Sequence, residues 1–304
     1  MRYIAIRFVR SLVTLWLVVT LVFFGMRLAG DPIRIMLGDT ASPADIARVR
    51  EAYGLDQPFV VQYVKYSANV AQGDFGNSLS ERRPVTDVLR ERLPATLQLT
   101  VLSMLIALLI GIPAGLIAAV RRNSAIDRLI IAVTFVGQAV PGFFIAILFI
   151  TLFAVTWGLL PSSGRGDWRY LVMPVAALVW GDLASIARIT RVSVLEVLNA
   201  DYVRTARAKG LRRNQVLIWH VIRNALVPVL TMLGFMLAGT VAGAIVVENV
   251  FAWPGMGRVL QNAVLKRDFP LIQAVVMLIG IAVVVVNLLV DMVYGIVDPR
   301  IGKP

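Results

Sequence analysis

The chain of 304 residues contains no cysteine and a single histidine, His220. Disulfide staples, thiol nucleophiles and thiolate metal sites are thereby excluded, and His220 lacks a second imidazole with which to share a metal. A capping or packing role suits it better than acid–base work. With so few nucleophiles and bases, no convergent catalytic constellation can be assembled, which argues against a membrane-embedded enzyme. Charge is also sparse: charged residues make up 16% of the chain, with 18 acidic against 30 basic. No Gly-x-x-x-x-Gly-Lys-Ser/Thr string occurs, so the chain has no phosphate-cradling loop of its own.

Apolar sequence takes the place of charge. Hydrophobic residues account for 58% and the mean hydropathy is +0.78. Six runs, at 9–29, 96–120, 129–157, 170–188, 226–248 and 271–296, have the length needed to cross about 30 Å of hydrocarbon. Several are apolar all round rather than on one stripe, unlike a soluble amphipathic helix. An all-α integral membrane protein with six transmembrane helices is predicted. Arg2, Arg7 and Arg10 mimic the basic start of a signal peptide. The run from Leu12 is bulky at Trp16, Phe23 and Phe24 and reaches Arg27 with no small-x-small cleavage site, so a retained first span is expected.

The net charge of +12 is placed for a membrane, not for nucleic acid. Arg2, Arg7 and Arg10 precede the first span without an acid. Arg121, Arg122 and Arg128 flank the next short connection with Asp127. Segment 188–224 carries eight basic residues against Glu196 and Asp201, whereas 30–94 carries eight against nine acids. Basic and neutral connections alternate, the positive-inside pattern of a multi-pass membrane protein with both termini in the cytoplasm.

That topology divides the chain into a tail and first span (1–29), an outer-face cap (30–94), a core of five spans (95–297) containing the cytoplasmic segment 189–225, and a tail (298–304). In the cap, Ser42-Pro43-Ala44-Asp45 reads as a helix start running through Glu51 to Gly54. A second amphipathic stretch is expected near 59–71, followed by turns at Gly73-Asp74-Phe75-Gly76-Asn77-Ser78. This mostly helical cap either seals the outer mouth or touches a delivery protein.

In the core, Gln138-Ala139-Val140-Pro141-Gly142 interrupts the third run. Proline removes a backbone hydrogen bond and glycine lets the chain bend, which is tolerated where freed carbonyls face protein or water. Gln138 and Pro141 are pathway candidates, or else mark a kink that improves packing. Asp182 and Asp291 are costly in hydrocarbon and should face the bundle or water. Asp182 is a further pathway candidate, with structural pairing as its alternative role.

The most patterned stretch is Asp201-Tyr202-Val203-Arg204-Thr205-Ala206-Arg207-Ala208-Lys209-Gly210. A helix over 200–209 puts Arg204 and Arg207 on one face. The small residues Thr205, Ala206 and Ala208 leave room for a close partner surface, and Gly210 is suited to end the helix. Anchoring to anionic lipid would account for the charge, but not for the ordered string of small residues.

This string, with His220, Arg223, Asn224, Ala225, Leu226 and Pro228, resembles the coupling loop of bacterial ABC-importer permeases of the dipeptide/oligopeptide/nickel family. Of that loop's general pattern, Glu-Ala-Ala then Gly, only Ala206 and Gly210 fit strictly; Arg204 stands where the glutamate would be. Other segments are similar to the same family: Arg27–Pro32, Tyr53–Pro58, Gly73–Gly76, Leu93–Thr96, Val247–Gly257 and Asn287–Asp291 on to Asp298-Pro299-Arg300. The resemblance implies a type I ABC-importer permease fold, and the long outer segment resembles the B-type subunit. It further implies a paralogous second permease subunit, two ABC ATPase subunits that bind ATP and Mg, and an extracytoplasmic substrate-binding protein. The chain itself would hold no cofactor and catalyse nothing, and residues 201–210 would form the ATPase-coupling loop. Di- or oligopeptides are the expected cargo, with nickel complexes, glutathione or sugars as alternatives. An ion-coupled secondary transporter is the rival class, though no internal repeat supports it.

Overall fold

The computed structural model describes residues 2–28, 42–52 and 56–297. The described residues are helical apart from turns and one isolated bridge, Asn77 with Pro84. Among the described residues, helices long and apolar enough to cross a membrane number 5, or up to 6 if one bent pair counts as a single span.

The helices in chain order begin with α1 (Arg2–Leu28), α2 (Pro43–Ala52), α3 (Phe59–Ala71) and α4 (Val85–Val120). Next come α5 (Ala125–Ala139) and α6 (Gly142–Phe149), the latter extended by a π-helical turn over Ile150–Thr156. Then follow α7 (Arg169–Leu198), α8 (Asp201–Ala208) and α9 (Arg213–Gln215). A π-helical stretch (Val216–Ile222) carries α9 into α10 (Arg223–Val250), after which come α11 (Met256–Leu265) and α12 (Phe269–Val297).

The chain forms two compact units, 1–95 with 254–285, and 96–253 with 286–304. In the first, Phe23 is buried among Phe24, Phe59, Tyr63 and Tyr66, with ring centroids 5.2–5.6 Å from it. Thr20 and Tyr63 hydroxyls lie 2.7 Å apart. The remainder of α1 exposes Phe8, Leu12, Trp16 and Leu21, as a lipid-facing helix should. A second core joins Val85, Val88 and Leu89 of α4 to Met256 and Ala263 of α11 and to Leu271, Ala274 and Val275 of α12.

The start of α12 is fixed by a side-chain knot. Asp268, fully buried, accepts from Leu271 N at 3.3 Å as an N-cap, and its other oxygen accepts from Ser78 Oγ at 2.5 Å, Ser80 N at 2.9 Å and Ser80 Oγ at 2.7 Å. Burial alone would push this carboxyl up. The bonds from the Ser78 and Ser80 side chains and from backbone N–H groups outweigh it and hold the group below the usual carboxylate range.

In the second unit α7 packs against α5, α6 and α10. Apolar side chains gain little by exchanging lipid for protein, so such helices depend on close backbone approach and polar contacts. A Cβ on Gly111 would lie 2.9 Å from Ile186 Cγ2, one on Gly137 would lie 2.7 Å from Ala184 Cβ, and one on Gly115 would run into the Ala187 carbonyl oxygen. Deep in this unit, Thr96 Oγ1 donates to the buried Glu248.

Several expectations need redrawing. Helix α2 begins at Pro43 and α3 covers 59–71 as predicted, but the stop at Gly54 lies outside the described residues, as does the tail 298–304. The 94/95 boundary falls inside α4, whose first turns bury the i, i+3, i+4 set Val85, Val88 and Leu89. The break expected in the third run at Gln138–Gly142 is present, and it is sharp: α5 and the α6 segment meet at 99°. Segment 189–225 is no open loop, because α7 continues to Leu198 and only 199–200 and 209–212 lie outside helices.

Candidate coupling site and pathway residues

Helix α8 is short and amphipathic. It starts at Ala200 in extended backbone and places Asp201 in its first turn and Arg207 in its last, as the helix dipole favours. Its end is a complete Schellman motif: Gly210 N–H donates to Arg207 O at 3.0 Å and Leu211 N–H to Ala206 O at 3.4 Å, with Gly210 at φ +80°. That left-handed φ is why glycine stands at 210.

The helix is divided into two faces. Val203 and Ala206 are buried against Ala119 at the end of α4, Val194 on α7, and Val216, Val221 and Ala225 leading into α10. Tyr202, Arg204, Thr205, Arg207, Ala208, Lys209 and Gly210 are exposed. Ala206, with 5% of its surface exposed, therefore does not belong to an approachable surface. It falls three residues after Val203, so both project to the side that packs on the bundle. The outward face consists of Tyr202, Arg204, Thr205, Arg207 and Ala208, with Asp201 3.6 Å from Arg204.

The downstream string now has a physical role. Ala225 lies under α8, and the Asn224 side chain donates to His220 O at 2.7 Å. Partial burial pushes the Tyr202 phenol up, an effect partly countered by the nearby Asn224 amide. A cavity of about 470 Å³ beside α8 is lined by Leu198, Arg207, Leu211, Arg213, Val216 and Leu217 together with Val120.

Among the pathway candidates, the structure brings Asp182 to the break in the third run. Val140 closes α5 and Pro141 opens α6 in extended backbone. Gly142 then lines a cavity of about 260 Å³ with Phe143, Gly181, Asp182, Gly239 and Thr240. Asp182 accepts from Thr240 Oγ1 at 2.7 Å, so its partner is a hydroxyl and not a cation. Gln138 is exposed on α5 and lines none of these cavities, and the side chain of Asp291 lies outside the described set. A larger, almost wholly apolar cavity of about 630 Å³ lies between α4, α5 and α7, where Trp180 Nε1 is buried without a hydrogen-bond partner.

Among the polar contacts that the sequence did not reveal are Asp268 with Ser78 and Ser80, and Asp127 with Arg191. Asp127 accepts from Arg191 Nε at 2.7 Å and Nη2 at 2.9 Å. The local signal for the first was an N-cap Asp followed by Phe269-Pro270. Asp127 three residues after Ser124 gave the second no more than a helix start.

A bundle of apolar helices with one helix broken at its middle, and a short basic helix seated on its end, is the architecture of a membrane-embedded transport subunit. The family model described as "Binding-protein-dependent transport system inner membrane component" matches residues 111–303, and the companion model for the N-terminal part of such membrane components matches 1–100. The chain belongs to this family. It is 42% identical over 302 residues, 99% of each chain, to the glutathione transport system permease protein GsiC of Escherichia coli K12, and equally to the protein of that name from Shigella dysenteriae serotype 1. Among solved structures, the MetNI methionine ABC transporter in inward-facing conformations is similar at TM-score 0.60 and 22% identity, over 69% of this chain and 96% of that one. That likeness concerns the fold alone, which is the type I ABC-importer permease fold. The protein is thus a multi-pass inner-membrane permease subunit of a binding-protein-dependent ABC importer, and ATP hydrolysis is done by separate subunits.

Proposed function

We propose that this chain forms half of a translocation pathway for short peptides, glutathione among them, and that it works by alternating access. The observation that carries the substrate class is the 42% identity, end to end, with a permease named for glutathione, itself a tripeptide. Glutathione thereby moves from an alternative to the first substrate to test. Each of two ATPase subunits, holding ATP and Mg, grips the outward face of α8 or its counterpart in a paralogous permease subunit. A soluble binding protein delivers substrate on the opposite side of the membrane. Both termini and α8 lie in the cytoplasm, in keeping with the basic residues of 188–224. The cavity holding Asp182, Thr240 and Gly142 belongs to the pathway.

The energetic requirement is differential. ATP must favour one packing of the helices over the other, and reversing a 1:99 ratio takes about 5.5 kcal/mol of such bias. The test is uptake into proteoliposomes by the assembled complex with its own binding protein, supplied with labelled glutathione, dipeptides and tripeptides. ATP-dependent uptake of one of these is expected, together with its loss in Ala208→Glu. Transport of a sugar or a nickel complex with no peptide uptake would overturn the substrate reading. Full uptake by Ala208→Glu would overturn the docking reading.

A further inference from the structure

We propose that Asp127 and Arg191 form a rigid strut that joins the coupling helix and the broken span into a single lever. This rests on the reading of α8 as the ATPase-docking helix. A push on α8 reaches α7 directly, since Val203 and Ala206 share a core with Val194 and α7 runs unbroken from Arg169 to Leu198. It also reaches α4, through Ala119 in the same core and through Gly115, where no Cβ fits against the backbone of α7.

The third-span helix α5 has no residue in that core, and its coupling-side end is tied to α7 in another way. Asp127, 1% exposed, lies in the first turn of α5, where Ser124 caps the helix. One carboxylate oxygen receives Arg191 Nε at 2.7 Å; the other receives Nη2 at 2.9 Å and the backbone N–H of Asn123 at 2.9 Å. Asn123 is held at φ +65°. The planar guanidinium fixes orientation as well as distance, which a lysine or a single hydrogen bond would not. Packed apolar helices can roll or slide past each other by small steps; the two-pronged bond prevents this at that end.

With Asp127 buried and Arg191 partly so, the ion pair contributes little net stability over apolar packing, and its value here is geometric. What it positions is the other end of α5, where Gly142 follows the break and shares a cavity with Asp182 and Thr240. Motion entering at α8 would therefore arrive at the break without slack. Asp127 and Arg191 are positioning residues: they hold α5 in register with α7 and lie outside the cavity itself.

Because this chain has no cysteine, it can be spin-labelled alone at introduced thiols and tested in a complex whose other subunits carry no reactive cysteine. Spin labels at Arg128→Cys on α5 and Glu196→Cys on α7, both exposed, report the distance between the helices without touching the pair or the outward face of α8. The expected result is one narrow distance, the same in nucleotide-free and ATP-trapped complexes. In Arg191→Leu the distribution should broaden, and substrate imported per ATP hydrolysed should fall about fivefold or more, the low end of ordinary coupling factors. Recovery of the ATPase subunits should be unchanged. Arg191→Lys, which keeps charge but not the fork, should restore only part of the import ratio.

A shift of about 5 Å, one helical turn, between nucleotide states with the native pair intact would overturn the proposal. So would native import per ATP in Arg191→Leu. If that variant does not assemble, the two-state distance comparison in the native pair still decides. Failure of the docking reading is recognised separately, by ATPase subunits remaining bound to Ala208→Glu.

Discussion

At the scale of single residues, two alanines two positions apart have opposite tasks. Ala206 is sealed beneath α8 with Val203, whereas Ala208 is exposed beside Arg204 and Arg207. Ala206→Glu should therefore act on folding: an uncompensated buried carboxylate costs about 3–5 kcal/mol. The detergent-solubilised chain should melt earlier and be recovered in lower yield. Ala208→Glu should melt like the native chain and yet lose the ATPase subunits on affinity purification. Equal melting of the two variants would show that the faces of α8 are assigned the wrong way round. Gly210 differs from both, because its φ of +80° is disfavoured for any residue with a Cβ by about 1–2 kcal/mol. The end of α8 was legible in the sequence through Gly210, and the small residues were legible as a pattern. Which of them turned inward was not, since an eight-residue helix shows its buried side only when Val203 and Ala206 are read as an i, i+3 pair against Val194 and Ala225, which lie elsewhere in the chain.

At the scale of elements, apolar length predicted the spans, and Pro141-Gly142 predicted a break, because both are local properties. The same local reading placed the start of the second span at 95. The polar residues of 85–94 obscured a helical stripe, Val85, Val88 and Leu89, that is buried by α11 and α12. The contact that sets the start of α12 showed locally only as an N-cap Asp before Phe269-Pro270; its partner had no local signature, since Asp268 meets Ser78 across 190 positions of sequence. Its energetic consequence has a definite sign. The Asp268 carboxyl is held below its usual range, so its stabilising effect is present above the unfolded carboxylate value of about 3.9 and is lost as pH falls through the depressed folded value. Asp268→Asn, which turns an amide donor toward hydroxyl and N–H donors, should lower stability near neutral pH by about 1–3 kcal/mol. Thermal melting of both proteins should converge as pH drops below about 4. A deficit that persisted unchanged in acid would mean that shape rather than charge accounts for the role of Asp268.

At the scale of the whole molecule, the 99° bend between α5 and the α6 segment decides which side of the membrane everything after it occupies. If the bent pair crosses, residues 157–168 face outward and α8 faces the cytoplasm. If it enters and returns on one side, both assignments reverse. Charge favours crossing: 157–168 balances Arg165 with Asp167, whereas 199–215 carries Arg204, Arg207, Lys209, Arg212 and Arg213 against Asp201 alone, the excess expected of a cytoplasmic segment. A docking helix for a cytoplasmic ATPase requires the same answer. Because the native chain has no cysteine, one introduced thiol at a time can be read without background. Ser163 and Asn214 are exposed. A membrane-impermeant maleimide applied to intact spheroplasts should label Ser163→Cys at once and Asn214→Cys only after permeabilisation. Labelling of Asn214→Cys alone from outside would reverse both assignments, as a re-entrant bent pair requires, and labelling of both from outside would mean that α7, which separates the two positions, does not cross. Either result would place α8 beyond the reach of an ATP-driven partner or require the N-terminal span to be reassigned, so this measurement bears on the docking reading before any partner has been purified.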